Sequence, residues 1–74
     1  MEREPYTYNE IAERDGWECQ LCALPVDSAF TYPNPRAGSI DHAVPLSLGG
    51  PDTRENVQLA HLACNWQKGN AAAA

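Results

Sequence analysis

The chain has 74 residues, of which ten are acidic and five are basic, so its formal net charge is −5. This length allows one domain with a modest apolar core, and domains of this size commonly need a metal ion or disulfide bonds for stability. No apolar run of about 18 residues and no basic-then-apolar segment is present, which argues against a membrane span and a secretion signal. The acidic balance argues against a nucleic-acid binder that depends on a broad basic surface.

Short elements separated by turn residues are predicted along the chain. A helix is predicted over residues 10–15, with Asn9 as its N-cap. Residues 24–39 are rich in proline and predict a loop. A second helix is predicted over residues 61–68, ending at Gly69. Strands are predicted over three short segments, which are residues 17–21, 39–42 and 56–60. The fold class is therefore small α+β, and a bound metal is expected to stabilise it.

Acidic residues are concentrated at the start of the chain. Residues 1–18 contain six acidic and two basic residues. We divide the chain into an acidic leader with a short helix at residues 1–16, a central domain at residues 17–70 and a low-complexity tail at residues 71–74. Residues 19–74 contain four acidic and three basic residues, so most of the net negative charge lies before the segment to which we assign the chemistry.

Two pairs of potential metal ligands share the same spacing. Cys19 and Cys22 form a C-x2-C pair, and His61 and Cys64 form an H-x2-C pair. Three cysteines cannot all pair within one chain, and in a reducing cytoplasm they favour a metal over a disulfide. Two such pairs suit tetrahedral zinc, and four protein ligands leave no open position, so the zinc would be structural. The alternative is three unrelated buried thiols and a histidine present by chance.

A longer pattern extends through the second half of the chain. It consists of D-H-x-x-P-x-S-x-G-G at residues 41–50, E-N-x-Q-L at 55–59 and H-x-x-C-N-x-x-K-G at 61–69. In combination these motifs resemble the HNH endonuclease family over residues 17–70, especially its short zinc-containing members in bacteria and phages. His61 stands where many members have cysteine, which keeps a zinc ligand. Asn65 stands where the last named residue of the family is often histidine.

The residue types suit phosphodiester hydrolysis, which needs an activated water and stabilisation of charge on the phosphate and the departing oxygen. His42 is the histidine that remains when His61 binds zinc, and a neutral imidazole accepts a proton readily near pH 7. Asp41 and Asn65 offer the oxygen ligands that Mg²⁺ prefers. Because neighbouring strand residues point to opposite faces, we expect the strand to break or bulge at Asp41, so that Asp41 and His42 reach one phosphate.

The resemblance implies a ββα-metal, treble-clef-like fold, in which two strands and a helix follow the N-terminal helix. It implies that His42 is the general base and that Asp41 and Asn65 hold one Mg²⁺ or another divalent cation. It also implies that Asn56 ties the loop after His42 to the second strand, a role that suits an amide. Lys68 shares a helix face with Asn65 and is either a phosphate contact or a cation at the helix C-terminus.

The expected function is a Mg²⁺-dependent endonuclease that nicks or cuts DNA with little sequence specificity, leaving the 5′-phosphate and 3′-hydroxyl ends that the resemblance implies. Arg36 and Arg54 are weaker candidates for DNA contacts, with solvated surface positions as the alternative. Specificity would need a partner protein or a dimer, for example phage packaging machinery, in a bacterial or phage-infected cytoplasm. The rival hypothesis is a non-catalytic zinc-ribbon module that binds nucleic acid or protein, which the low basic content favours.

Overall fold

The computed structural model describes residues 3–69. The two helices of this range are α1 (Tyr8–Arg14) and α2 (Leu62–Lys68), and the two strands are β1 (Gly38–His42) and β2 (Val57–His61). Single 3-10 turns lie at Leu46–Leu48 and Arg54–Asn56. β1 and β2 pair as an antiparallel sheet, and α2 follows β2 directly. The predicted small α+β fold with a ββα unit is confirmed, whereas the predicted tail at residues 71–74 lies outside the described residues.

Helix α1 begins two residues earlier than predicted, at Tyr8. The side chain of Thr7 accepts a hydrogen bond of 3.1 Å from the backbone amide of Glu10, so Thr7 is the N-cap in place of Asn9. A threonine hydroxyl satisfies one of the amides that a helix start leaves without an intrahelical partner. The helix ends at Arg14, and neither helix of residues 3–69 is long and apolar enough to cross a membrane.

The leader packs directly against the sheet. Ile11 and Ala12 of α1 are buried, at 1% and 0% exposure. Arg14 donates a 2.7 Å hydrogen bond to the carbonyl of Val57, and the Asp15 carboxylate accepts one of 2.9 Å from the amide of Leu59. These contacts occupy backbone groups along one edge of β2, so α1 covers an edge that would otherwise be exposed.

The predicted strand over residues 17–21 is wrong. Trp17 has a φ of 53°, in the left-handed region, and its amide donates to the carbonyl of Ala12 at 2.8 Å. The chain therefore turns sharply after α1, and only a single bridge between Glu18 and Pro25 has strand geometry. The apolar residues there are used for packing, since the Trp17 ring makes an edge contact with Tyr8 at 5.9 Å between centroids. The turn overrides the local strand preference.

The sheet register is regular through the predicted catalytic pair. Asp41 lies opposite Gln58 and His42 lies opposite Val57, without an inserted residue. The predicted break or bulge at Asp41 is therefore wrong. The two side chains point to opposite faces of the sheet, as alternation along a strand requires.

The core lies between α1, the sheet and the turn that carries the first cysteine pair. Leu59 and Ala60 of β2 are fully buried, and Cys19 is also at 0% exposure. The main buried cluster comprises Ala12, Cys19, Val26, Leu59 and Ala60. One metal-ligand candidate is thus part of the apolar core itself, so the fold and the candidate metal site share residues.

Candidate metal centre and active site

The four predicted zinc ligands converge in space. One ligand atom from each of Cys19, Cys22, His61 and Cys64 lies within 4.8 Å of all the others. The Cys22 sulfur is 3.3 Å from Nδ1 of His61, and the Cys64 sulfur is 4.0 Å from the same nitrogen. Tetrahedral zinc with ligand bonds of about 2.0–2.3 Å places ligand atoms roughly 3.5–3.8 Å apart, which these separations approach.

Local structure explains this convergence. Residues 19–24 form a tight turn in which the amide of Ala23 donates to the carbonyl of Cys19 at 2.8 Å. Within the same turn, the amide of Gln20 donates to the carbonyl of Leu59 at 2.8 Å, which anchors the turn to β2. His61 is the last residue of β2 and Cys64 lies in the first turn of α2. Because α2 starts at Leu62, His61 and Cys64 lie three residues apart across the helix start, and both ligand atoms reach the same site.

Backbone groups around the four candidate ligands orient and activate them. Nε2 of His61 lies 2.9 Å from the carbonyl of Pro25, so that nitrogen carries the proton and Nδ1 faces the three sulfurs. Zinc-binding histidines commonly donate their second ring N–H in this way. Burial opposes ionisation of Cys19, but backbone hydrogen bonds from His61, Cys22 and Leu21 outweigh it and lower its pKa to about 7. The donor set, its geometry and its orientation therefore fit zinc.

Cys64 shows the opposite tendency in the metal-free protein. Burial, followed by hydrogen bonding to Cys22 and by the nearby Cys19 sulfur, raises the pKa of Cys64 to about 12. Three thiols so close together cannot all ionise without a cation between them, since like charges disfavour one another. A divalent metal supplies that cation, and binding it releases protons.

His42, the predicted general base, lies at the end of β1. Its Nε2 is 2.9 Å from Oδ1 of Asp52, and the Tyr6 hydroxyl donates to the same oxygen. The side chain of His42 is 20% exposed. Hydrogen bonds from Tyr6 and His42 hold the pKa of Asp52 below its usual value, whereas burial and the bond to Asp52 raise the pKa of Tyr6 to about 12. Asp52 is therefore an ionised acceptor.

Asp41 lies on the opposite face and is 3% exposed. Its Oδ1 accepts a 2.9 Å hydrogen bond from the ammonium of Lys68, and its Oδ2 accepts one of 2.8 Å from Gln58. The same ammonium donates to the backbone carbonyl of His42 at 2.8 Å. The structure thus places Lys68 against a candidate metal ligand, where a cation neutralises the buried carboxylate.

Asn65 joins α2 to β1. Its amide nitrogen donates to the carbonyl of Ile40 and to the Ser39 hydroxyl, each at 3.2 Å. These bonds use the nitrogen, so the amide oxygen is the atom that could bind a metal. The helix is thereby fixed across the strand that carries Asp41, one residue beyond Ile40.

The side-chain amide of Asn56 hydrogen-bonds to the backbone of the loop after His42, as its predicted tying role requires. Its side chain accepts from the amide of Val44 at 2.9 Å and donates to the carbonyls of Val44 and Pro51 at 2.9 and 2.8 Å. It is 8% exposed, and a side chain at Gly50 would collide with the Val44 carbonyl. One amide therefore holds both ends of the loop after His42.

Replacing Asn56 by alanine is expected to lower the free energy of unfolding by about 2–3 kcal/mol, because three partly buried backbone groups would lose their partner. Chemical denaturation of the zinc-loaded protein measures this loss. Asn9→Ala, at an exposed position of α1, is the matched control and should change stability by less than about 0.5 kcal/mol. Equal stability of the two variants would contradict the anchoring role.

The two arginines proposed as DNA contacts differ in their surroundings. Arg54 makes ion pairs with Glu10 at 3.1 Å and with Glu4 at 3.8 Å, so leader carboxylates neutralise it. Arg36 is exposed and lies over the ring of Phe30, 5.6 Å from its centroid. The structure brings neither guanidinium to His42.

Sequence reasoning missed three side chains that contact the predicted site. Asp52 binds His42, Tyr6 binds Asp52, and Gln58 binds Asp41. Gln58 had a detectable signal, because it falls within the E-N-x-Q-L motif and lies opposite Asp41 once the strands are paired. Tyr6 had none, since its contact with Asp52 spans 46 residues.

Together, these features define a small ββα domain with a Cys3His group of zinc-site geometry and a histidine at the end of its first strand. A sequence model of the HNH endonuclease family matches residues 19–71, most of the chain, and the chain belongs to this family. The comparisons with curated proteins and with solved structures found no match. Family membership supports a nuclease-type function, with DNA as the fitting partner, and the Cys3His group is a zinc-type site.

Proposed function

We propose that this protein is a metal-dependent endonuclease that hydrolyses DNA phosphodiester bonds, with His42 as the general base and a structural zinc at the Cys3His group. The observation that carries the proposal is the ββα unit itself. It places His42 at the end of β1, uses Asn56 to hold the following loop and fixes Asn65 across the strand beside Asp41. Products with 5′-phosphate and 3′-hydroxyl ends are part of this proposal.

The partly exposed His42 ring is suited to act on a water molecule at the protein surface. In the proposed reaction, His42 takes one proton from water, the water oxygen bonds to phosphorus, and the bond to the 3′ oxygen breaks. The departing 3′ oxygen then takes a proton from solvent. A positioned base contributes about 10²- to 10⁴-fold to such a rate.

Asp41 and Asn65 would hold the catalytic Mg²⁺ or an equivalent divalent cation, which requires that Lys68 leave Asp41 and that the end of β1 rearrange so that Asp41 and His42 reach one phosphate. The Asp41 carboxylate and Asn65 amide oxygen are hard donors of the kind that Mg²⁺ prefers. The Lys68 ammonium occupies this position in the structure, 2.9 Å from Oδ1 of Asp41, so the divalent cation would have to displace it. When bound there, Mg²⁺ supplies charge stabilisation on the phosphate and the departing oxygen.

The contact with Asp41 predicts that Lys68 competes with the divalent cation. The variant Lys68→Met leaves Asp41 buried without its ion-pair partner, which is expected to lower the free energy of unfolding by about 3 kcal/mol. Added Mg²⁺ should restore part of this loss, and more in the variant than in the wild type. Denaturation with and without Mg²⁺ measures both effects, with the exposed Arg36→Met as control. A Mg²⁺ response identical to that of the wild type would argue against metal binding at Asp41.

A DNA-binding partner or a dimer is part of the proposal. The net charge is −5, and the Arg54 guanidinium is already paired with leader carboxylates. Affinity for DNA rests largely on neutralising phosphates, so this domain alone should bind weakly and with a shallow dependence on salt. A partner such as phage packaging machinery would hold the domain on DNA and supply the sequence specificity.

The proposed function is tested by incubating the zinc-loaded protein with supercoiled plasmid, with and without Mg²⁺ or Mn²⁺. Conversion to nicked or linear DNA only when the divalent cation is added is the expected result. DNA binding or inertness under all conditions, with zinc still bound, would favour the non-catalytic zinc-ribbon module. The Lys68–Asp41 ion pair favours this second candidate, because it occupies the carboxylate that a catalytic cation would need.

A further inference from the structure

His42 is held at one ring nitrogen only, as far as residues 3–69 show. Nε2 lies 2.9 Å from Oδ1 of Asp52, and no group of the described chain hydrogen-bonds Nδ1. The Asp52 oxygen also accepts from the Tyr6 hydroxyl. The side chains of His42 and Asp52 are 20% and 21% exposed, so the pair is partly shielded from water while one edge of the ring remains accessible.

The chemistry of the acceptor decides where the proton of a neutral His42 lies. An ionised carboxylate offers only lone pairs, so the nitrogen that faces it must carry the proton. The Tyr6 hydroxyl and the His42 ring both stabilise the ionised form of Asp52. In neutral His42 the proton is therefore on Nε2, and the lone pair is on Nδ1.

We propose that Asp52, itself held by Tyr6, is a positioning residue that fixes the His42 ring so that Nδ1 is the atom that accepts the proton from water. This inference rests on the proposed endonuclease function. Asp52 does not touch the DNA or the water in this arrangement. It acts through His42, as the middle member of the series Tyr6, Asp52 and His42.

The charge of Asp52 gives it a second effect on the same step. After His42 takes a proton the ring is positive, and a carboxylate 2.9 Å away stabilises it. Such an interaction is stronger at a partly shielded position than in bulk water. The neutral ring is stabilised less by the carboxylate than the protonated ring is. The interaction therefore favours the protonated ring that forms during the reaction over the neutral ring of the starting state.

The leader becomes part of the active site through this series. The amide of Glu4 donates to the backbone carbonyl of Asp52 at 3.1 Å, and Arg3 forms an isolated bridge with Asp52. Tyr6 adds the side-chain hydrogen bond. Residues 3–6 therefore fix both the backbone and the side chain of Asp52, although they lie outside the segment that matches the family.

The tautomer of His42 can be tested directly by nitrogen-15 NMR of the zinc-loaded protein with neutral rings. The chain has two histidines. The zinc ligand His61 faces the Pro25 carbonyl with Nε2, so it provides an internal reference for that protonated nitrogen. We expect His42 to show the Nε2–H form in the wild type. In Asp52→Ala, a fraction of the Nδ1–H form should appear while His61 stays unchanged.

Kinetics on a DNA substrate test the consequence for catalysis. Asp52→Ala is expected to lower the maximal cleavage rate about 10- to 100-fold, a part of what a positioned base contributes. The half-saturating DNA concentration should stay within about twofold, because Asp52 does not contact DNA in this account. Glu55→Ala, an exposed carboxylate three residues further along, is the matched control. If Asp52→Ala does not fold, Tyr6→Phe keeps the carboxylate and should lower the same rate by a smaller factor.

The outcomes separate this proposal from the proposed function. Wild-type cleavage together with unaltered cleavage in Asp52→Ala and Tyr6→Phe overturns the positioning role and leaves the endonuclease standing. A wild-type His42 in the Nδ1–H form overturns the positioning role whatever the activity. If the wild-type protein cleaves nothing, the endonuclease proposal fails and the positioning role fails with it.

Discussion

Removing zinc, or replacing Cys64 by serine, is expected to unfold the whole domain and not only the turn that carries the first cysteine pair. Cys19 is a fully buried core residue that packs with Leu59 and Ala60 of β2. Cys22 lies in the same turn, whereas His61 and Cys64 lie at the end of β2 and in α2, so a metal held by all four would connect the turn, the sheet and the second helix. Loss of the metal therefore removes the connection between all three.

A comparison of zinc-binding free energy with domain stability supports unfolding of the metal-free protein. Structural zinc in small domains contributes about 10–16 kcal/mol of binding free energy that is coupled to folding. The total stability of a native domain is only about 5–15 kcal/mol, and a chain of this size has little apolar core to compensate. Circular dichroism during titration with a zinc chelator should show loss of structure in step with zinc release.

A serine introduced beside the ligand gives the matched control. Ala63→Ser adds a hydroxyl in the same helix without removing a ligand, and it should keep zinc and a wild-type melting temperature. Cys64→Ser should lose both. If the metal-free protein melts like the zinc-loaded protein, the assignment of four ligands to a structural zinc is wrong.

His42→Ala is expected to lower the rate of DNA cleavage by about 10²- to 10⁴-fold, the range associated with a positioned general base. The ring is removed from a partly exposed position at the end of β1, so stability should change little beyond the loss of its hydrogen bond to Asp52. Zinc content should not change, because His42 lies outside the Cys3His group, to which His61 contributes the nitrogen. Single-turnover cleavage of an end-labelled duplex measures the rate.

The control for this variant is Glu13→Ala, an exposed position on α1. It removes a charged side chain from the leader without touching the sheet or the zinc ligands. Cleavage at the wild-type rate is expected. A His42→Ala protein that keeps zinc and still cuts within about threefold of the wild-type rate would exclude His42 as the base.

The convergence of the four candidate zinc ligands was predictable because each pair is local in sequence. The C-x2-C and H-x2-C spacings place two ligands on one turn or on one helix start, and only the meeting of the two pairs required the fold. The prediction survived a wrong local assignment. Residues 17–21 form a turn in place of the predicted strand, yet Cys19 and Cys22 still lie on a tight bend.

The surroundings of the two candidate catalytic residues were less predictable. A regular strand separates Asp41 from His42, and their partners come from different parts of the chain. Lys68 reaches Asp41 from α2, a contact across 27 residues, and Asp52 reaches His42 across ten. No spacing rule encodes such pairings, because they depend on which faces of the sheet the loop and helix cover. Sequence therefore predicted candidate catalytic residues and left their partners open.

The central claim is that His42 and a divalent cation hydrolyse DNA on a zinc-stabilised ββα domain. It is tested most directly by assaying wild-type and His42→Ala proteins of equal zinc content on supercoiled plasmid, with Mg²⁺ added or withheld. Nicking by the wild type that needs Mg²⁺, and its loss in the variant, is the predicted result. Equal nicking by both proteins, or none by either, would contradict the claim.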